Sequence, residues 1–282
     1  MTGASTRVAC CQYAPRVGEP DANRARGVRA IRDAAQAGAR VIVLPELASS
    51  GYVFRDREEA ARLAEPLDGP TVGEWGELAA ELGVVVVAGL CERGADGVLF
   101  NSAVVLDDSG LRAAYRKVHL WDAEKLVFTA GDAPPPVVPV THRVRLGVLI
   151  CYDLEFPEWV RVPALAGAQL LCVPANWPRL PRPGGQRPIE VVRTQAAASV
   201  NRMFVAVCDR VGAERGVDWV GGSVIVDADG WPLAGPTPGD QESLLSADCR
   251  LGDAVDKTIS DRNDVFTDRR TDLYAAIEEN RT

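Results

Sequence analysis

Short runs rich in valine, isoleucine and leucine recur along the chain, and segments with helical spacing lie between them. Such runs are typical of buried strands, and the intervening segments place about two to three apolar residues in every seven, which predicts helices with one buried face. Because fully apolar and alternating strands occur together with helices, the pattern predicts an α/β layered sandwich. Strands are expected near 6–13, 40–45, 83–90, 101–107, 112–118, 144–151, 169–174, 203–209, 221–227 and 243–249, and helices over Asp21–Ala37, Val72–Leu82, Pro157–Ala166 and Pro188–Asn201.

The length of the chain favours one domain. It has 282 residues, of which 47% are hydrophobic, and this is enough to build a large core. We therefore expect a single domain over residues 1–282. Residues 253–282 are dense in aspartate, arginine and glutamate, and we expect a tail there with a short helix near 273–277, either draped over a partner subunit or solvated. The tripeptide Ala-Gly-Ala occurs at 37–39 and at 166–168, each time between a helix and an apolar strand, as a weak internal echo.

Charge and hydropathy narrow the class of partner. The net charge is −8 and the sequence pI is about 5.0, which argues against a general nucleic-acid-binding surface. No run reaches the roughly 18 apolar residues that a membrane helix needs, and residues 1–5 lead into a strand rather than a signal peptide. We expect a cytosolic protein that acts on a small molecule.

The cysteines divide into two kinds. There are seven, without a CxxC pair and without the cysteine–histidine spacing of a zinc site. Most of them, such as Cys172 and Cys208, lie inside apolar runs, where cysteine behaves as a small buried hydrophobic residue. The sequence therefore predicts neither disulfides nor a metal site.

Cys151 has a different setting. The stretch Gly147–Glu158 carries an apolar strand into this cysteine and then turns at once into an acidic helix start. A thiol at such a turn is expected at the edge of the sheet, where the positive end of the helix dipole favours the thiolate. A buried core thiol is the alternative, but the setting favours a nucleophile.

Two further apolar segments end in charged residues that complete a chemical set with this cysteine, one at Glu46 and one at Lys117. A cysteine that attacks a carbonyl or nitrile carbon needs a base, a donor to the developing anion, and an acid for the leaving nitrogen. The two histidines are His119, near Lys117, and His142, in an apparent turn. Glu46 can serve as the base if a semi-buried site raises its pKa, and Lys117 then lowers the pKa of the thiol.

These residues lie in blocks that resemble the signature blocks of the nitrilase superfamily of carbon–nitrogen hydrolases, in the same order and at similar spacing. The blocks are Pro45-Glu46, Tyr115–Leu120 and Cys151-Tyr152-Asp153, and 128–132 and 222–227 also resemble family blocks. The resemblance implies an αββα fold that dimerises into αββα–αββα or assembles further. It also implies Glu46 as general base, Lys117 as oxyanion stabiliser and Cys151 as nucleophile, with no metal or organic cofactor.

The same resemblance supplies further candidates. Family amidases often have a second glutamate before the Pro-Gly-Asp turn, and Glu124 occupies that place ahead of Ala130-Gly131-Asp132. We assign Glu124 to positioning substrate and tuning Lys117, and the backbone N–H of Tyr152 to the oxyanion. Residues expected to line the substrate site are Tyr52, Trp121, Glu155, Asn176 and Trp177, while His119 is expected to be structural.

Cys151-Tyr152-Asp153 resembles the amidase branches, whereas nitrilases that form acids usually carry Cys-Trp-Glu. ω-Amidases acting on α-keto acid monoamides usually have arginine where this chain has Glu155, and amidases of the 5-aminopentanamide and cyclic amino-amide type have glutamate. We therefore expect a neutral or amine-bearing carboxamide as substrate. Ala175–Pro178 instead resembles the ω-amidase branch, so an ω-amidase, an N-carbamoyl amine amidohydrolase and a silent scaffold of the same fold remain alternatives.

Overall fold

The structure is a computed structural model and describes residues 5–141, 144–237 and 239–274. The helices are α1 (Pro20–Gln36), α2 (Arg57–Leu63), α3 (Pro70–Leu82), α4 (Glu124–Val127), α5 (Pro157–Leu165) and α6 (Ile189–Asn201), and 3₁₀ turns span Cys151–Glu155 and Leu251–Val255. The strands are β1 (Thr6–Gln12), β2 (Val41–Val43), β3 (Val85–Arg93), β4 (Leu99–Asp107), β5 (Gly110–Arg116), β6 (Val137–Thr141), β7 (Val144–Val148), β8 (Leu170–Pro174), β9 (Phe204–Cys208), β10 (Ala213–Glu214), β11 (Val217–Asp218), β12 (Val224–Val226), β13 (Pro232–Ala234), β14 (Ser243–Cys249), β15 (Thr258–Ser260) and β16 (Asn263–Asp264).

Two six-stranded sheets form the centre of the molecule. Their strand orders are β14-β1-β2-β3-β4-β5 and β13-β12-β9-β8-β7-β6. In the first sheet β1, β2 and β3 pair in parallel, and in the second β7, β8 and β9 do the same, while the outer strands pair antiparallel. Parallel strands need crossover connections, and helices supply them here.

The alternation of side chains along β1 explains the layers. Val8 and Cys10 face the second sheet and belong to the core between the sheets. Ala9 and Cys11 face the other way and pack with Ile31 of α1 and Trp75 of α3. Because α5 and α6 cover the second sheet in the same manner, the order of layers is helix, sheet, sheet, helix. This is the αββα sandwich that the resemblance implies.

The two Ala-Gly-Ala tripeptides occupy equivalent turns in the two halves. Gly38 follows α1 and precedes β2, and Gly167 follows α5 and precedes β8. Their φ angles are 88° and 87°, in the region that glycine adopts without steric cost. The N–H of the next residue bonds to a helix carbonyl at 3.0 Å in both turns, Ala39 to Ala34 and Ala168 to Pro163. The repeated tripeptide in the sequence therefore forms the same helix-to-strand turn in both halves of the molecule.

The main differences from the predicted elements lie where strands end. Strands predicted to run to 118 and 151 end at Arg116 and Val148 instead. Cys151 has a φ of 45°, which a strand cannot accommodate. The Lys117 N–H still donates to Asn101 of β4, but the Lys117 carbonyl accepts from the N–H of Gly131, so the ladder ends there. The short elements β6, β10, β11, β13, β15, β16, α2 and α4 were not predicted, because so few residues show no periodicity.

Several sequence predictions are not tested by the fold. In the described residues, no helix is long and apolar enough to cross a membrane. The cytosolic location, the single domain and the dimer stay predictions. The short helix near 273–277 falls largely outside the described residues, as does His142.

Gly89 on β3 packs closely against the backbone of Glu46 and Leu47. A Cβ added at Gly89 would lie 2.3 Å from the backbone nitrogen of Leu47 and 2.6 Å from Cα of Glu46. We predict that Gly89→Ala lowers the free energy of unfolding by about 1–3 kcal/mol, as overpacking does, and also lowers activity. Thermal unfolding and an amidase assay would measure both effects.

Gly73 in α3 provides the matched control, because a Cβ there meets nothing within 4 Å. Gly73→Ala should stabilise the protein by about 0.5–1 kcal/mol, since alanine is the better helix former. A Gly89→Ala variant as stable and as active as the parent would show that the close approach at Glu46 is not required.

Candidate active site

The three main residues of the predicted site lie just past the ends of strands. Glu46 follows β2, Lys117 follows β5, and Cys151 follows β7. Glu46 and Lys117 are fully buried, and Cys151 is 6% exposed. Charged groups are rarely buried unless they are paired, so these positions indicate a built site rather than surface strand ends.

Lys117 is the centre of the hydrogen-bond network. Its Nζ donates to Oε1 of Glu46 at 2.6 Å and to Oε1 of Glu124 at 2.8 Å. Asn101 Nδ2 donates to the same two oxygens, at 2.7 Å and 3.3 Å, and the Tyr52 hydroxyl donates to Glu124 Oε1 at 2.6 Å. One ammonium therefore joins two carboxylates that come from distant parts of the chain.

The charges of this cluster shift each other's protonation. Burial raises the pKa of Glu46 to about 7, although Lys117 acts in the opposite direction, and the nearby Glu124 raises it further. Burial alone lowers the pKa of Lys117, but the carboxylates of Glu124 and Glu46 outweigh it and hold that pKa well above its usual range. These directions favour a protonated Lys117, and a pKa of about 7 allows Glu46 to exchange a proton near neutral pH.

Cys151 is held in a left-handed backbone conformation beside this cluster. Its φ of 45° is uncommon for a residue with a side chain and is typical of a sharp turn at a functional site. The sulfur lies 3.7 Å from the carbonyl oxygen of Asn176, and the Asn176 amide donates to the backbone oxygen of Glu46 at 2.9 Å. Asn176 therefore contacts both Cys151 and Glu46.

The expectation of a thiolate favoured by a helix dipole is wrong. Burial raises the pKa of the Cys151 thiol well above its usual range, the Glu46 charge raises it further, and Lys117 only partly offsets these effects. The α-helix begins at Pro157, as predicted, but a 3₁₀ turn over Cys151–Glu155 separates the thiol from the helix N-terminus and weakens the effect of the helix dipole. These effects favour the neutral thiol at rest, and a nucleophilic role for Cys151 would require a base.

One atom of Glu46 remains available for that task. Oε1 accepts hydrogen bonds from Lys117 and Asn101, whereas Oε2 is buried and has no hydrogen-bond partner among the described residues. A buried acceptor without a partner is costly, and such atoms in native sites usually serve a ligand or a reaction. Oε2 can take a proton from a neighbouring thiol or water.

Asp153 stabilises the turn that carries Cys151. Its carboxylate accepts hydrogen bonds from the N–H groups of Ile150 and His119, at 3.2 Å and 3.0 Å, and from the Tyr115 hydroxyl at 2.8 Å. The His119 ring contacts the same carboxylate at 2.7 Å and stacks on Phe156. These contacts favour the structural role that we expect for His119.

A second buried carboxylate, Asp209, binds the backbone around Trp177. It accepts backbone hydrogen bonds from Trp177, Arg210 and Gly222, each at 2.9 Å. Burial raises the pKa of Asp209 to about 7, against the effect of these donors. Because Trp177 follows Asn176 directly, Asp209 fixes the segment that contacts both Cys151 and Glu46.

The cleft over these residues has two lobes that share Trp121, Pro178 and Leu180 as walls. The larger lobe, about 300 Å³, is mostly apolar and includes Tyr52, Glu124 and Trp219. The smaller lobe, about 100 Å³, is lined by Cys151, Tyr152, Glu155, Asn176, Trp177, Ile189, Glu190 and Arg193 besides the shared residues. All five predicted substrate-lining residues, Tyr52, Trp121, Glu155, Asn176 and Trp177, line one lobe or both.

Four residues of the site were not predicted from the sequence: Asn101, Asp209, Glu190 and Arg193. Arg193 forms an ion pair with the predicted Glu155, donating to its Oε1 at 2.7 Å. Asn101 and Asp209 interrupt or end apolar strands, which was a usable signal for a buried polar group, whereas Glu190 and Arg193 look like ordinary charges on a helix.

The described residues contain no group of three or more histidine, cysteine, aspartate or glutamate side chains arranged to hold a metal ion.

A comparison with protein families matches residues 7–256 to the family described as carbon-nitrogen hydrolase. The chain belongs to the carbon–nitrogen hydrolase family. It is a hydrolase of the nitrilase superfamily and acts on carbon–nitrogen bonds, as the sequence predicts.

Relatives of this carbon–nitrogen hydrolase carry more than one name. The chain is 37% identical over 273 residues to a nitrilase from Pyrococcus abyssi, covering 95% of this chain and 98% of that protein. It is 31% identical over 271 residues to 2-oxoglutaramate amidase from Bacillus subtilis, covering 95% and 98%. The names of the relatives therefore leave the substrate open.

A solved amidase shares the fold. The crystal structure of an amidase from Nesterenkonia sp. superposes with a TM-score of 0.79 and 28% identity, covering 98% of both chains. A glutamine-for-glutamate variant of that amidase carries acrylamide joined by Michael addition to its active-site cysteine. The αββα architecture is thus that of nitrilase-superfamily amidases.

The pKa of Glu46 predicts how activity depends on pH. If Glu46 must be ionised to accept a proton, kcat/KM should rise with pH through about 7, where this carboxyl group titrates. The measurement is kcat/KM for a neutral amide between about pH 5.5 and pH 8.5, a range that spans the shifted carboxyl pKa and stops short of most thiol titration. A level profile across this range would contradict a base with the pKa of Glu46.

Proposed function

We propose that this protein is a cysteine-dependent amidase that hydrolyses a small neutral or amine-bearing carboxamide to a carboxylic acid and ammonia through a thioester. The observation that carries the proposal is the buried ammonium of Lys117 between Glu46 and Glu124, next to the strained turn at Cys151. This arrangement contains the nucleophile, the base and the anion-binding cation of acyl transfer.

In the first half of the reaction, Cys151 attacks the amide carbon as its proton passes to Glu46. The negative charge that develops on the amide oxygen is held by Lys117 and by the backbone N–H of Tyr152. An ammonium group has three donors, and Lys117 uses two of them on Glu46 and Glu124, which leaves the third for this oxygen. The carbon–nitrogen bond then breaks, and Glu46 returns its proton to the departing nitrogen, so that ammonia and a thioester form.

In the second half, water replaces ammonia in the site. Glu46 accepts a proton from the water as its oxygen attacks the thioester carbon, and Lys117 and Tyr152 again hold the oxyanion. Collapse breaks the carbon–sulfur bond, and the proton passes from Glu46 to the sulfur. Glu124 stays in place throughout as a positioning residue, because it fixes Lys117 and the Tyr52 hydroxyl.

The two lobes of the cleft bear on the choice of substrate. The apolar lobe suits an uncharged chain, and the small lobe holds two carboxylates, Glu155 and Glu190, against one guanidinium, Arg193. This balance supports a neutral or cationic acyl group over an acidic one. The ω-amidase alternative, which requires an acidic substrate, rests on the Ala175–Pro178 resemblance and on the Bacillus subtilis relative.

The proposal predicts which compounds release ammonia. Wild-type protein should hydrolyse neutral aliphatic amides and 5-aminopentanamide faster than α-ketoglutaramate-like acids, carbamoyl amines or nitriles. Cys151→Ala should lower turnover at least about a thousandfold with the fold intact, because removal of one member disables a catalytic unit. Ammonia release by both proteins and circular dichroism of the variant would measure this.

Other outcomes separate the alternatives. A preference for acidic amides would favour the ω-amidase, and carbon dioxide released with ammonia would mark a carbamoyl substrate. Turnover retained in a clean Cys151→Ala preparation would refute the thioester mechanism. No turnover together with no labelling of Cys151 by a thiol reagent would favour the silent scaffold.

A further inference from the structure

The smaller lobe of the cleft contains more charge than the hydrolysis itself requires. Glu155, Glu190 and Arg193 line it together with Cys151. The proposed mechanism uses Glu46, Lys117 and Glu124, none of which lines this lobe, so the charges of the lobe have no part in bond breaking. They are therefore candidates for recognising the part of the substrate that does not react.

Two of the three charges neutralise each other. Arg193 donates to Oε1 of Glu155 at 2.7 Å, and both side chains are partly exposed. A carboxylate paired in this way has little charge left to offer a ligand, especially in contact with solvent. Glu155 alone, which the sequence suggests as the substrate contact, is therefore a weak cation site.

Glu190 is the charge without a partner. It lies in the first turn of α6, lines the lobe, and is only 8% exposed. Its carboxylate accepts no hydrogen bond and forms no ion pair with any of the residues that the structure describes. A carboxylate buried to this degree is normally paired or hydrogen-bonded, because the loss of hydration is costly. A cationic group bound in the lobe would supply such a partner.

Glu155 lies close enough to Glu190 for their charges to interact. Burial raises the pKa of Glu155, Arg193 opposes this, and the charge of Glu190 raises it further, which places the two carboxylates within electrostatic reach of each other. With two carboxylates and one guanidinium, the lobe carries a net charge of about −1 when all three groups are ionised. Such a lobe attracts a single cationic group.

We propose that Glu190 binds the ammonium group of a short aminoalkyl carboxamide while Cys151 attacks its amide carbon. This inference rests on the proposed function and names its substrate class. Cys151 and Glu190 line the same lobe of about 100 Å³, so a short chain can join the amide at one to the ammonium at the other. The Glu155–Arg193 pair lines the lobe as well and contributes no net charge when both groups are ionised.

The test compares amides that differ only in charge. 3-Aminopropanamide and butanamide have the same number of non-hydrogen atoms, and an ammonium in the first replaces the methyl group of the second. Wild-type protein should show a higher kcat/KM for the amine. Glu190→Gln should lower the ratio of the two kcat/KM values by about ten- to a hundredfold, which corresponds to losing one hydrogen bond to a charged group.

Glu158→Gln is the matched control. Glu158 also lies in the first turn of a helix, α5, but it is exposed and does not line either lobe. It should leave the ratio at the wild-type value. A folded Glu190→Gln variant with the wild-type ratio would overturn the inference, as would wild-type protein that prefers butanamide.

Arg193→Gln tests the same claim in the opposite direction and serves if Glu190→Gln fails to fold. Removing the guanidinium frees Glu155 and makes the lobe more negative, so the ratio should rise severalfold. An unchanged or lower ratio would overturn the inference. These failures differ from failure of the proposed function, in which wild-type protein would release ammonia from neither amide.

Discussion

The ion cluster around Lys117 is the interaction on which the rest of the site depends. A fully buried ammonium is tolerated only because two carboxylates and their hydrogen bonds surround it. Glu46, Lys117 and Glu124 belong to segments that meet only when the first sheet is complete, since β2 and β5 are separated in it by β3 and β4. The assembly of this sheet also brings Gly89 of β3 close to the backbone of Glu46.

The cluster also decides how the thiol is activated. In a buried site the thiolate is the unfavourable form, and the charge of Glu46 makes it more so. In the proposed mechanism, a neutral thiol beside a carboxylate whose pKa is about 7 transfers its proton during attack rather than before it. Lys117 would then act mainly on the oxyanion, and because its position is fixed before the substrate arrives, little reorganisation would be needed.

The sequence predicted the long elements and the main residues of the site, because both leave local signals. The strands from β1 to β5 and the four longer helices show clear apolar periodicity, and Glu46, Lys117 and Cys151 lie in recognisable blocks. The pairing of charged side chains with each other leaves no such signal in the sequence. The Glu155–Arg193 pair and the unpaired state of Glu190 depend on α6 packing beside the turn at Cys151, and burial reverses the expected direction of the thiol pKa.

The titration of Glu46 itself tests the account most directly. Protein labelled with carbon-13 at the glutamate carboxyl carbons can be followed by NMR across pH, and Glu46→Gln identifies the signal by its disappearance. The account predicts that this signal titrates at about 7. A Glu46 carboxyl group that titrates near its ordinary value of about 4.3 would contradict the account, because it would be ionised without the buried cluster that makes it a base.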